Sequence, residues 1–89
     1  MKITLELFGA SREFSNKEYL EFFIKDQIEV KDLRNEIIHF LDENFKGNEN
    51  YKKIIETSAF CSEDNNIISE SYKITKDQKI GIIPPIGGG

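Results

Sequence analysis

The chain has one cysteine, two prolines and no tryptophan in 89 residues. A lone thiol excludes an internal disulfide framework and any zinc or iron–sulfur centre built on several thiolates. No apolar run approaches the roughly 20 residues that a membrane-spanning helix needs. The opening segment Met1-Lys2-Ile3-Thr4-Leu5-Glu6-Leu7-Phe8 alternates apolar with polar residues, unlike the core of a secretory signal. A cytoplasmic address is the expectation. A basic excess is also missing: 12 Lys+Arg stand against 16 Asp+Glu, for a net charge of −4. Binding driven by nucleic-acid phosphates calls for the opposite balance. No repeat, linker or low-complexity tract interrupts the chain.

What is present is one domain with one core. Hydrophobic residues make up 38% and charged residues 31%, and a chain of this length has no room for a cleft between two domains. From Lys2 to Phe8, Ile3, Leu5 and Leu7 point one way and Thr4 and Glu6 the other, the period of a half-buried strand. Gly9 to Asn16 reads as a turn or a single helical turn. Glu18 to Ile24 reads as a second strand, antiparallel to the first. From Val30 the period changes: Val30, Leu33, Ile37, Phe40, Leu41 and Phe45 line one face of a helix. Glu29 and Asp32 suit its positive end, although Glu29 is a poor N-cap. Lys46-Gly47-Asn48 is a stop signal.

Glu49 to Glu56 is ambiguous between a second helix and a connection. Ser58 to Ser62 and Ile67-Ile68 read as short strands around a turn at Glu63-Asp64-Asn65-Asn66. Ser69 to Lys79 reads as loop. Ile80-Gly81-Ile82-Ile83 is an apolar strand covered on both faces and so central. The order β-β-α-β-β-β predicts an α+β, β-grasp (ubiquitin-like) fold. It has a mixed sheet of four to five strands with one main helix packed on one face. Residues 1–83 form that domain, and residues 84–89 a flexible tail.

The tail carries the functional signal. Gly87-Gly88-Gly89 adds nothing to a core, because three glycines cost the most backbone entropy to order. It offers a carboxylate on a thin arm, and glycines pass through a narrow channel with no Cβ to clash. Pro84-Pro85 stiffens the base of the arm. Extended, Pro84 to Gly89 reaches roughly 20 Å. A carboxylate joined to AMP becomes open to attack by a sulfur nucleophile, and the product is a thiocarboxylate. No side chain of the carrier is needed.

These residues resemble a known family. Ile80-Gly81-Ile82-Ile83-Pro84-Pro85-Ile86-Gly87-Gly88-Gly89 is similar to the ending of the small, sulfur-carrying subunit of molybdopterin synthase, in the ubiquitin-like molybdopterin/thiamine sulfur-carrier superfamily. Leu7-Phe8-Gly9-Ala10-Ser11-Arg12-Glu13-Phe14 resembles that family's first strand and following turn, and Val30-Lys31-Asp32-Leu33-Arg34 its helix opening. The chain departs from the pattern at Asp77-Gln78, where the family has Gly-Asp, at Gly87, where serine is usual, and in a longer stretch from Lys46 to Glu56.

The resemblance implies a carrier without an active site of its own. A ubiquitin-activating-like adenylyltransferase would use ATP to adenylate Gly89. A desulfurase or rhodanese-type donor would convert it to the thiocarboxylate. Pro84, Pro85, Ile86, Gly87 and Gly88 would thread the channel of the large synthase subunit, to deliver sulfur to cyclic pyranopterin monophosphate in a hetero-oligomer. No bound cofactor, metal, nucleic acid or membrane is implied.

Two other readings use the same tail. One is a ubiquitin-like modifier joined through Gly89 to lysines of target proteins. The other is a sulfur carrier for thiamine, an amino acid or tRNA thiolation, and Pro84-Pro85 argues against the thiamine version. Elsewhere the residues read plainly. Cys61 is expected as a small core hydrophobe, and His39, opposite the apolar helix stripe, as a solvated side chain. Arg12 and Arg34 are expected to be solvated. Phe8, Phe23 and Ile83 are candidates for an exposed docking patch on the sheet face away from the helix.

Overall fold

Alternation along the first strand sets the architecture. In this computed structural model, which describes residues 1–85, β1 spans Lys2–Leu7 and pairs antiparallel with β2, Tyr19–Phe23, with Leu5 opposite Leu20. A 3₁₀ turn, Gly9–Phe14, joins them. The strand β7, Gln78–Ile83, runs parallel to β1, with Leu5 beside Ile80 and Leu7 beside Ile82. Its other edge pairs antiparallel with β4, Ala59–Cys61, and β4 pairs with β5, Ile67–Ile68. The five-stranded order β2-β1-β7-β4-β5 puts the last strand at the centre, as the sequence predicts. The parallel pair requires a long crossover, which the intervening helices supply.

Register puts Ile3, Leu5, Leu7, Phe60, Ile80 and Ile82 on one face, all buried. The helix α1, Val30–Asn44, closes that face with Val30, Leu33, Ile37 and Leu41. Its start lacks a side-chain cap, as Glu29 leads one to expect. The free N–H groups are met from elsewhere: Val30 N–H donates to the Tyr72 carbonyl and Lys31 N–H to the Glu70 carbonyl, both at 3.0 Å. Those carbonyls are held in place by a two-stranded ladder of β3, Ile28–Glu29, with β6, Lys73–Ile74. The segment 69–79 is therefore not all loop: β6 lies inside it and β7 begins at Gln78.

The ambiguous stretch folds as a second helix, α2, Glu49–Thr57. Lys46 and Gly47 turn the chain with φ of 52° and 70°, and Asn48 Oδ1 accepts from Tyr51 N–H at 3.1 Å. Asn48, expected as part of the stop after α1, thus opens α2, while α1 ends at the Phe45 cap. Tyr51 bridges Phe14 and Phe45, with ring centroids 5.3 and 4.9 Å away.

Arg34 differs from expectation. It is largely covered and ties α1 to its surroundings. Nη1 donates to the carbonyls of Ile55 at 2.6 Å and Ser58 at 2.8 Å, while Nε and Nη2 grip the Glu70 carboxylate at 3.0 and 2.5 Å. Its guanidinium sits over the Phe60 ring, 4.5 Å from the centroid. The end of α2 leaves carbonyls without helical partners, and Arg34 supplies two of the missing donors. Arg12, by contrast, is exposed and pairs with Glu18 at 2.7 Å.

Candidate functional site

The site is the carboxyl end of β7 and the surfaces around it. Ile80 and Ile82 are fully buried among core aliphatics, so the strand is anchored from within. Its outer side is filled differently. Gly81 is buried because the Phe8 ring and the Cys61 sulfur lie over it: a Cβ there would come 2.7 Å from Cys61 Sγ and 3.2 Å from Phe8 Cε2. The first is a clash that no side chain tolerates, so only glycine fits without a shift.

Cys61 is therefore not a core residue. Alternation in β4 gives the inward position to Phe60, and Cys61 lies half-covered on the outer face. His39 is exposed on α1, as expected. The helix covers the inner face, so the single thiol and the single imidazole lie on opposite sides of the sheet and cannot act on one substrate.

Next to the strand end, the turn out of β1 is locked. Ser11 is fully buried; its Oγ donates to the Phe8 carbonyl at 2.7 Å and accepts from Phe8 N–H at 3.0 Å. Gly9 turns the corner with a φ of +54°, and a Cβ on it would touch Pro84 Cγ at 3.8 Å. Pro84 is half-buried against this corner and Pro85 is exposed. The expected tail thus has Pro84 and Pro85 at its base. Ile86, Gly87, Gly88 and Gly89 lie outside the described residues.

A groove of about 530 Å³ opens beside the two prolines. Its other walls are Ala10 of the 3₁₀ turn and Asn50, Lys53, Ile54 and Thr57 of α2. The sequence reading misses this surface entirely, because it rests on α2. The one available signal was Asn48 ahead of an acidic first turn, which fits a helix start as well as a helix stop.

The candidate patch divides. Phe8 lies one residue past the Leu7–Ile82 pair and so stands level with Ile83, and the register adds Ala59 opposite Ile83, with Cys61 opposite both Gly81 and the exposed Ile67. Phe23 pairs with Lys2, at the far end of β1. That separation is about 20 Å along the strand. Between the two ends lie the polar residues Thr4, Glu6, Glu21 and Lys79, with Lys79 Nζ 3.6 Å from Glu6 Oε1. Phe8 and Ile83 lie next to Pro84, where the expected tail begins; Phe23 does not.

Among the described residues, one titratable group departs clearly from its ordinary value. The Arg34 hydrogen bonds hold the Glu70 carboxyl below the usual 4.5; partial burial opposes them and the Arg34 charge adds to them. This pair belongs to the scaffold. Among the described residues, no group of three or more His, Cys, Asp or Glu is placed to hold a metal ion, and no helix is long and apolar enough to cross a membrane.

Comparison with solved structures places the architecture. A Pyrococcus furiosus protein provisionally named molybdopterin converting factor, subunit 1, is similar over 96% of this chain and 98% of its own, at a TM-score of 0.67 and 18% identity. SAMP1 from Haloferax volcanii is similar over the full length of both chains, at a TM-score of 0.68 and 12% identity. The shared fold is the ubiquitin-like β-grasp. No family model matches the chain, and no curated protein matches it in sequence. At these identities the likeness is one of fold. It bears out the expected class, a mixed five-stranded sheet with α1 as its main helix, and adds α2 to that description.

Proposed function

We propose that the chain is a sulfur carrier, the small subunit of a molybdopterin synthase, which works through the terminal carboxylate of Gly89. The observation that supports this most is the course of β7. The central strand of the sheet is fixed on both edges and then leads directly into Pro84-Pro85 at the rim. A carrier needs a rigid mount and a stiff base for its arm, and this sequence ends the arm in three residues with no side chain. The Pyrococcus neighbour carries the name of a molybdopterin converting factor subunit, which supports the same choice of pathway.

The chemistry is carried by partners. In an adenylyltransferase of the ubiquitin-activating type, the Gly89 carboxylate attacks the α-phosphorus of ATP and pyrophosphate leaves. The outer sulfur of a persulfide on a desulfurase or rhodanese-type donor then displaces AMP, leaving an acyl disulfide to the donor. A second thiol attacks the donor-side sulfur, forms a disulfide with it and releases the Gly89 thiocarboxylate. Once the thiocarboxylate is free, Gly89 enters the large synthase subunit, and its sulfur passes to cyclic pyranopterin monophosphate. This chain supplies the carboxylate, the reach and the docking surface around Phe8 and Ile83. Its place of action is the cytoplasm.

Mass spectrometry tests the reading. After incubation with ATP, the cognate adenylyltransferase and a sulfur source, the intact chain gains the mass difference of one oxygen exchanged for one sulfur. No change of mass would falsify the carrier proposal. A chain lacking Gly89 keeps its melting temperature and loses all sulfur transfer. High-molecular-weight adducts through Gly89 in a cell extract, with no delivery of sulfur to the pterin, would point instead to a protein modifier.

A further inference from the structure

We infer that the groove between the 3₁₀ turn, α2 and Pro84-Pro85 docks the protein that receives the tail, and takes from it an apolar side chain flanked by a carboxylate. The inference rests on the carrier reading, in which Gly89 is the reacting residue. Only residues 86–89 then separate Pro85 from the reaction centre. Fully extended, they span at most about 13–14 Å. A partner that encloses Gly89 away from water must therefore bring the mouth of its channel up to the surface around Pro85. On the α2 side, that surface is the groove.

Its chemistry indicates what fits. Ile54, Ala10 and the two proline rings make the walls apolar, and the volume of about 530 Å³ admits a large side chain. Lys53 is the one charged residue among those lining it, is exposed, and joins no ion pair among the described residues. A carboxylate on the partner meets that ammonium group at the rim, where such pairs set register and association rate more than affinity. The apolar side chain in the groove supplies the main contact. This surface is separate from the Phe8 and Ile83 patch, which lies on the outer face of the sheet. A partner gripping both holds the tail's base from two sides.

The test uses full-length chains with Lys53→Glu and, separately, Ala10→Arg, both at exposed positions. Each is titrated into the cognate large synthase subunit by calorimetry, with His39→Ala as a control on the far helix. Each variant raises Kd about ten-fold or more at an unchanged melting temperature, and the control does not. Two variants that bind within about twofold of wild type overturn the inference and leave the carrier reading standing. A wild-type chain that neither binds the subunit nor gains sulfur at Gly89 removes the carrier reading, and this inference with it. Tighter binding by a chain lacking residues 87–89 assigns the groove to the chain's own tail. A dimer in light scattering that Lys53→Glu dissociates assigns it to a second copy. Either result overturns the inference.

Discussion

The helix α1 spans fifteen residues and buries Val30, Leu33, Ile37 and Leu41 against the sheet, whereas α2 spans nine and buries only Ile55. The longer helix is held by aliphatic packing. The shorter one is held at its ends: Asn48 caps its start, and Arg34 collects the carbonyls of Ile55 and Ser58 at its finish. The difference follows from what each must do. The first seals a core, and any loss there is felt as lost stability. The second carries the groove beside Pro84, so its outward residues are free for contacts with other molecules.

The largest effect that sharpens this contrast is expected at Ile37. Ile37→Ala removes a fully buried side chain and costs about 2–5 kcal/mol in denaturant melts. Ile54→Ala, on half-buried α2 surface, costs less than half as much in the same experiment. If the two losses are equal, α2 belongs to the core and the contrast is wrong. Next comes Arg34→Ala, which strands two carbonyls and the Glu70 carboxylate; about 1.5–3 kcal/mol is expected. Arg34→Lys does not restore the loss, since an ammonium group cannot fork between the carbonyls and the carboxylate. Hydrogen exchange in either variant rises in α2 before α1.

Asn48→Ala has a smaller effect, about 1 kcal/mol, read by the same melts. The smallest is the pH response of Glu70. Its carboxyl is held below the ordinary 4.5 by Arg34. The pair's contribution is therefore complete above that ordinary value and is lost as the pH falls through the lowered folded one. Glu70 is 54% exposed, so the effect is small. The wild-type melting temperature falls more steeply on acidification than that of Glu70→Gln, and parallel curves would remove the pair from the account.

The same contrast explains what the sequence reveals. Everything that packs by period is legible: β1 from Ile3, Leu5 and Leu7, α1 from its stripe, and β7 from its apolar run Ile80-Gly81-Ile82-Ile83. Elements held by polar contacts at their ends are not. In α2 the apolar face is only Tyr51, Ile54 and Ile55, too short a run to tell from a connection, and Asn48 reads equally as the end of α1. The two residues of β6 exist because they deliver carbonyls to Val30 and Lys31, a need that belongs to another part of the chain. Alternation does identify outward positions, but not their neighbours. Phe8 and Ile83 come together near Pro84 while Phe23 is carried to the far end, because pairing register depends on turns that hydrophobicity does not encode. Gly81 is similar: its need for a bare backbone comes from Cys61 on one neighbouring strand and from Phe8 at the end of another.

Among the described residues, the middle place in the sheet belongs to the strand that comes latest in the chain. Until Gln78–Ile83 has left the ribosome, the hairpin of β1 with β2 and that of β4 with β5 share no strand pairing. A nascent or truncated polypeptide stays open along that seam. The five strands therefore close into one sheet only after translation has reached the residues just before the prolines.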